Sequence, residues 1–134
     1  DIPFDFLYHG FHNMPSKTIT LKNLVWRNTI ITSSVLIKRS VFQSLGGFDT
    51  DPNLHSVEDY DLWMRVFKTE DIVAYNLSQP LGNYSISNDR ISNNKQLRRK
   101  NCYALWRNHR NDVNLYLKIL LCGGLSRLFI KNII

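Results

Sequence analysis

The run TIITSSVLIK, Thr29 to Lys38, is β-branched and nearly continuously apolar. That pattern predicts a strand buried on both faces. Upstream, residues 1–17 (DIPFDFLYHGFHNMPSK) are rich in aromatics and broken by Pro3, Gly10 and Pro15. They predict a short extended piece and then a loop. TITLKNLVWRN, in between, predicts a short helix capped by Thr18 or Thr20. In RSVFQSLGGFD, Ser40 can cap, Val41, Phe42 and Leu45 form a helical stripe, and Gly46-Gly47 ends it. Asp51-Pro52-Asn53 is turn chemistry. A helix then runs from about Val57 to Lys68, with Tyr60, Trp63 and Phe67 on one stripe and Leu62 and Val66 on another. Most of its circumference is expected to be buried.

Ile72–Tyr75 and Pro80–Ile86 read as extended pieces. Asn93 or Asn94 can cap a long basic helix to about Arg110, and Asp112 another through Leu121, which Gly123-Gly124 breaks. The order is strand, helix, helix, strand, strand and then helices. This is a mixed α/β class with a helical tail. The chain is divided at 92/93, with 1–92 carrying the α/β part and 93–134 the basic tail. There is no Gly-x-Gly-x-x-Gly and no phosphate-loop motif, so a complete nucleotide-binding fold is not encoded.

Composition narrows the class further. The 134 residues are 43% hydrophobic and 21% charged, the balance of one globular domain. The chain starts at Asp1 without a basic and apolar leader, so it reads as lacking a secretory signal and as a piece of a longer protein. Cys102 and Cys122 lie far apart without metal-ligand spacing, which argues against structural zinc and fits a reducing cytosol. The net charge is +6, with the excess mostly in the last third. Such a stripe is either a solvated helix face or a contact for phospholipid, nucleic acid or nucleotide phosphate.

HSVEDYDLW, His55 to Trp63, is the densest candidate for chemistry. Ser56-Val57-Glu58-Asp59 is spaced as a capping box, with Ser56 at the N-cap. Carboxylates in a first turn are favoured by the helix dipole, by about 0.3–1 kcal/mol each. Asp61 and Arg65 stand i, i+4 for an ion pair. The same placement keeps a carboxylate ionised at the mouth of a cleft, where it can take a proton from a hydroxyl. Asp59 can serve in both ways.

Three signatures occur in order: TSSVLIKRSVFQSLGGFD, SVEDYDLWMRV and PLGNYSISNDRIS. Together they resemble the family-two glycosyltransferases. There, a buried strand leads to a short helix ending in Gly-Gly-Phe-Asp, then a Glu-Asp-x-Asp-Leu-Trp-x-Arg helix, then Pro-Leu-x-x-Tyr-Arg-x-His. The resemblance runs from Asn28 to about Ser92, roughly half of the chain. It implies the C-terminal, acceptor-side part of a GT-A fold, with the donor-binding half outside this chain. It also implies an enzyme that transfers one sugar from a nucleotide sugar to a saccharide or lipid-linked acceptor, with inversion, in cell-surface polysaccharide synthesis.

By the same resemblance Asp59 falls on the catalytic base and Glu58 on the acid beside it. Gly46, Gly47, Phe48 and Asp49 fall on the turn flanking the acceptor pocket, and Asp61 and Trp63 on buttressing positions. His55 is placed to touch donor or acceptor, the alternative being a loop role. A divalent Mg or Mn is implied for the full-length enzyme, with ligands mostly outside this chain. Asp49-Thr50-Asp51 spells Asp-x-Asp but follows a helix rather than a hydrophobic strand, and is not read as that metal pair. Tyr84-Ser85-Ile86-Ser87 departs from the family's Tyr-Arg-x-His, which leaves Arg90 as the candidate to cover the diphosphate. Gln-x-x-Arg-Trp, the mark of processive synthases, is absent.

His9 and His12 read as polar surface, and Phe4, Phe6, Tyr8, Phe11 and Trp26 as core rather than a sugar platform. The tail LYLKILLCGGLSRLFIKNII is too broken by Lys118, Gly123-Gly124 and Arg127 to span a bilayer. Its apolar face is expected either on the inner membrane surface, as a peripheral contact, or against the rest of the enzyme or a second copy. The competing class is a basic binding module for nucleic acid or an anionic membrane surface. It leaves the three ordered signatures unexplained, so nucleic acid is not the favoured partner.

Overall fold

A three-stranded mixed sheet runs through the described residues. The computed structural model describes residues 6–10, 20–26, 28–77 and 94–111. The strand β1 (Phe6–Gly10) lies in the middle, antiparallel to β2 (Ile30–Ile37) and parallel to β3 (Ala74–Asn76). The register pairs Leu7 with Leu36 on one side and with Tyr75 on the other. The extended piece expected near the front is therefore the central strand among the described residues.

β2 occupies the expected segment but is not buried on both faces. Ile30 is buried, whereas Thr32, Ser33 and Leu36 are exposed, Leu36 by 58%. Among the described residues β2 has a partner on one side, and Ile30, Val35 and Ile37 are its members that pack on the core. β3 begins two residues later than the apolar run Ile72–Tyr75 suggested.

Four α-helices pack around this sheet among the described residues: α1 (Leu21–Trp26), α2 (Arg39–Ser44), α3 (Glu58–Lys68) and α4 (Lys95–His109). Thr20 and Asn23 form a reciprocal box at the start of α1. The Asn23 amide donates to Thr20 Oγ1 at 3.3 Å and the Thr20 amide to Asn23 Oδ1 at 3.2 Å. α4 is capped by Asn94, whose side chain accepts from the Leu97 amide at 3.0 Å. Both caps fall where the sequence offered them.

Two other expected caps do not form. α2 starts at Arg39, two residues earlier than a Ser40 cap would place it, behind Lys38 with no side-chain cap, so Ser40 lies inside it. α3 is preceded by Val57 rather than capped by Ser56. Ser56 sits at φ 72, a left-handed conformation in which it precedes the helix instead of capping it.

The end of α2 is a Schellman motif. The Gly47 amide donates to the Phe42 carbonyl at 2.9 Å and the Gly46 amide to the Gln43 carbonyl at 3.0 Å. Gly46 and Gly47 take φ of 79 and 69. A Cβ on Gly47 would lie 3.0 Å from the Phe42 ring, while one on Gly46 would meet open space.

α3 is the spine of the core. Leu62, Trp63, Met64 and Val66 are buried with Leu24, Val25, Ile30 and Ala74. Each such side chain removed from water contributes about 1.5–3 kcal/mol, so α3 is the element the fold can least lose. A second cluster joins Leu54 and Val57 to Ala104 and Leu105, packing α4 against the 3-10 turn Pro52–Leu54. Tyr60 touches both clusters, and its hydroxyl donates to the Leu24 carbonyl at 2.8 Å. Burial pushes that phenol up, helped by Cys102 nearby.

Candidate active site

The acids at the start of α3 separate by helical geometry. At 3.6 residues per turn, positions 59 and 61 point to sides about 160° apart. Asp59 faces β2, where Thr32 Oγ1 donates to its Oδ2. Its Oδ1 accepts from the Tyr60 amide at 2.7 Å. The carboxylate is half-buried, with one oxygen held by the helix backbone and the other by a strand hydroxyl. Glu58 is also half-buried, and its Oε2 is shielded from solvent with no hydrogen-bond partner among the described residues.

Asp61 points the other way and is buried. Its Oδ2 receives Arg65 Nε at 2.9 Å and Nη2 at 2.8 Å, the expected i, i+4 pair. Its Oδ1 lies 2.7 Å from His109 Nε2 of α4. Burial alone would raise this carboxyl, but hydrogen bonds and charge from His109 and Arg65 outweigh it and hold it below the usual carboxylate range. On the far side of the ring, His109 Nδ1 lies 2.5 Å from Lys68 Nζ.

Arg65 extends the network to the glycine turn. Its Nη2 also donates to the Gly47 carbonyl at 2.8 Å, and its Nη1 to the Leu45 carbonyl. The guanidinium thereby fixes α3 against the end of α2. An open groove of about 410 Å³ lies there, lined by residues 45–50 and Arg65. Phe48 is 42% exposed, with its ring edge-on to Phe42 at 5.4 Å and to Trp63 at 6.5 Å. An exposed ring on a rigid aromatic base beside a carboxylate (Asp49) offers a sugar both a flat apolar surface and a hydrogen-bond acceptor.

The loop entering α3 is set by α4. Asn101, buried, donates through Nδ2 to the His55 carbonyl and to Ser56 Oγ, the latter at 3.3 Å. His55 itself is exposed. Of the residues placed by the resemblance on the acceptor-flanking turn, Gly46, Gly47, Phe48 and Asp49 all line the groove. Trp63 lies beneath Phe48, and Glu58, Asp59 and His55 lie outside the groove lining. Arg90 and Pro80–Ile86 fall outside the described residues. Sequence reading missed Thr32, Asn101 and His109, because their partners lie 27, 46 and 48 positions away and no local spacing marks them.

The divalent metal implied by the resemblance finds no donor set among the described residues, where no cluster of three or more His, Cys, Asp or Glu side chains occurs. Asp49 and Asp51 are engaged in turn bonds: Asp49 Oδ1 accepts from the Asp51 amide at 2.9 Å, and Asp51 Oδ1 from the Asn53 amide at 2.8 Å. The Asn53 amide, with its side chain, holds the Asp51 carboxyl below its usual range. Comparison with protein-family models, curated proteins and solved structures finds no match to this chain. Among the described residues no helix is long and apolar enough to cross a membrane.

Proposed function

We propose that this chain is the acceptor-side part of an inverting GT-A glycosyltransferase, with Asp59 as the base that activates the acceptor hydroxyl. The observation that carries the reading is the position of Asp59. It is the second acid of Glu-Asp-x-Asp-Leu-Trp, and it stands in the first turn of α3 with each oxygen oriented by one donor. The supporting pattern is the order of the three signatures, with Gly-Gly-Phe-Asp ahead of this helix.

In this mechanism the acceptor hydroxyl gives its proton to the Asp59 carboxylate as its oxygen attacks the anomeric carbon. The bond from that carbon to the nucleoside diphosphate breaks on the opposite face, and the electron pair leaves on the phosphate. By the same resemblance Phe48 and Asp49 flank the acceptor pocket, although the groove they line does not include Asp59. This reading requires a donor-binding half on a longer polypeptide.

The test uses the polypeptide carrying both halves. Asp59→Asn should abolish sugar transfer while nucleotide-sugar binding survives. Turnover near that of the unsubstituted enzyme would sink the assignment.

A further inference from the structure

We infer that the outer face of α4 is a contact surface for an anionic phospholipid membrane. Lys100, Tyr103, Arg107 and Arg110 fall within an arc of roughly 80° when projected down the helix, beside Trp106, which packs partly buried against the core. The opposite side of α4 is spent on the protein: Asn101, Ala104, Leu105 and His109 are buried. Lys100, Arg107 and Arg110 are exposed, and Tyr103 is 57% exposed. The aromatic members are ordered. Tyr103 stacks on Trp106 with ring centroids 5.6 Å apart, and the Arg110 guanidinium lies over the Trp106 ring at 5.2 Å.

Charge complementarity selects the partner's sign. No Asp or Glu occurs between Arg90 and Asn111. The carboxylate on which Lys100 and Arg107 act is Asp51, already engaged by Asn53. The chain beyond the described residues selects a lipid surface over a nucleic acid. Residues 112–134 follow α4 directly and are dominated by Leu, Ile, Phe and Tyr with Lys118, Arg127 and Lys131 interspersed. A basic face carrying a tyrosine, followed by an apolar basic segment, matches an interfacial membrane contact. Nucleic-acid binding would leave that apolar segment without a use. The inference needs no enzymatic activity and stands independently of the glycosyltransferase reading.

The experiment is co-sedimentation of the whole chain with phosphatidylcholine vesicles, with and without phosphatidylglycerol. Binding is expected only to the anionic vesicles and should be lost at high salt. The triple variant Lys100→Gln, Arg107→Gln, Arg110→Gln should bind roughly a hundredfold more weakly, each basic residue near the surface being worth about a fivefold step. Tyr103→Ala, which leaves the charge intact, should weaken binding roughly fivefold. A control of equal charge, Lys22→Gln, Lys38→Gln, Arg39→Gln, lowers the net charge away from α4 and should bind nearly as the parent does. Circular dichroism confirms that each variant is folded. Equal losses in the two triple variants, no binding of the parent to anionic vesicles, or binding to an RNA oligonucleotide at a salt concentration that releases vesicles would each overturn the inference.

Discussion

His109 Nε2 lies 2.7 Å from Asp61 Oδ1 across 48 positions of sequence, with both side chains buried. Through this bond α4 is tied to the helix that carries the candidate base. Asp61 is also tied to the glycine turn through Arg65. One carboxylate thus holds three helices in register.

Removing the histidine leaves half of a buried carboxylate unsatisfied. His109→Ala should lower stability by about 2–3 kcal/mol, the range for a buried hydrogen bond to a charged group. Chemical denaturation of the two proteins measures it. A loss below a few tenths of a kcal/mol would show that Arg65 alone satisfies Asp61.

The depressed Asp61 carboxyl makes a signed prediction with pH. Its folded value lies below the unfolded value of about 3.9, so its contribution is present above about pH 4 and is lost as pH falls through the folded value. Asp61→Asn should therefore be less stable than the parent at neutral pH, and the gap should narrow below about pH 4. A gap that widens on acidification would contradict the assigned sign.

The two glycines after α2 should differ. Gly47→Ala meets both a positive φ and the Phe42 ring, whereas Gly46→Ala meets the positive φ alone. Gly46→Ala should cost about 1–2 kcal/mol, and Gly47→Ala more. Gly46→Asn should recover part of the loss, since asparagine tolerates the left-handed region. Thermal melts of the three variants give the ranking, and Gly46→Ala costing more than Gly47→Ala would refute it.

If Asp59 is the base, Thr32 is a positioning residue for it. Thr32→Val should lower kcat of the full-length enzyme roughly tenfold with little change in KM, matching the loss of one hydrogen bond to a carboxylate. Thr32→Ser keeps the hydroxyl and should restore most of the rate. Failure of serine to rescue would mean that the methyl packing, not the hydroxyl, is what matters.

Local features were legible in the residues. Thr20 and Asn94 cap their helices because a side-chain oxygen within one turn reaches a free amide whatever the rest of the fold does. Gly46-Gly47 ended α2 for an equally local reason. Ser56 failed as a cap because a distant residue claimed its loop: Asn101 binds the His55 carbonyl and Ser56 Oγ. Similarly, the apolar run of β2 could not reveal that Thr32, Ser33 and Leu36 lie open, because a strand's burial depends on what packs above and below it.

The sequence by itself determined the limits of the described helices to within about three residues, the glycine stop and the Asp61–Arg65 pair. All depend on spacings shorter than about two helical turns, within which backbone geometry dictates who meets whom. Only the tertiary structure decided that Asp59 faces Thr32, that Asp61 is shared between Arg65 and His109, and that β1 is the central strand. Those contacts join segments far apart in the chain. Their partners are chosen by how the buried face of α3 seats against sheet and helix, and no local pattern encodes that choice.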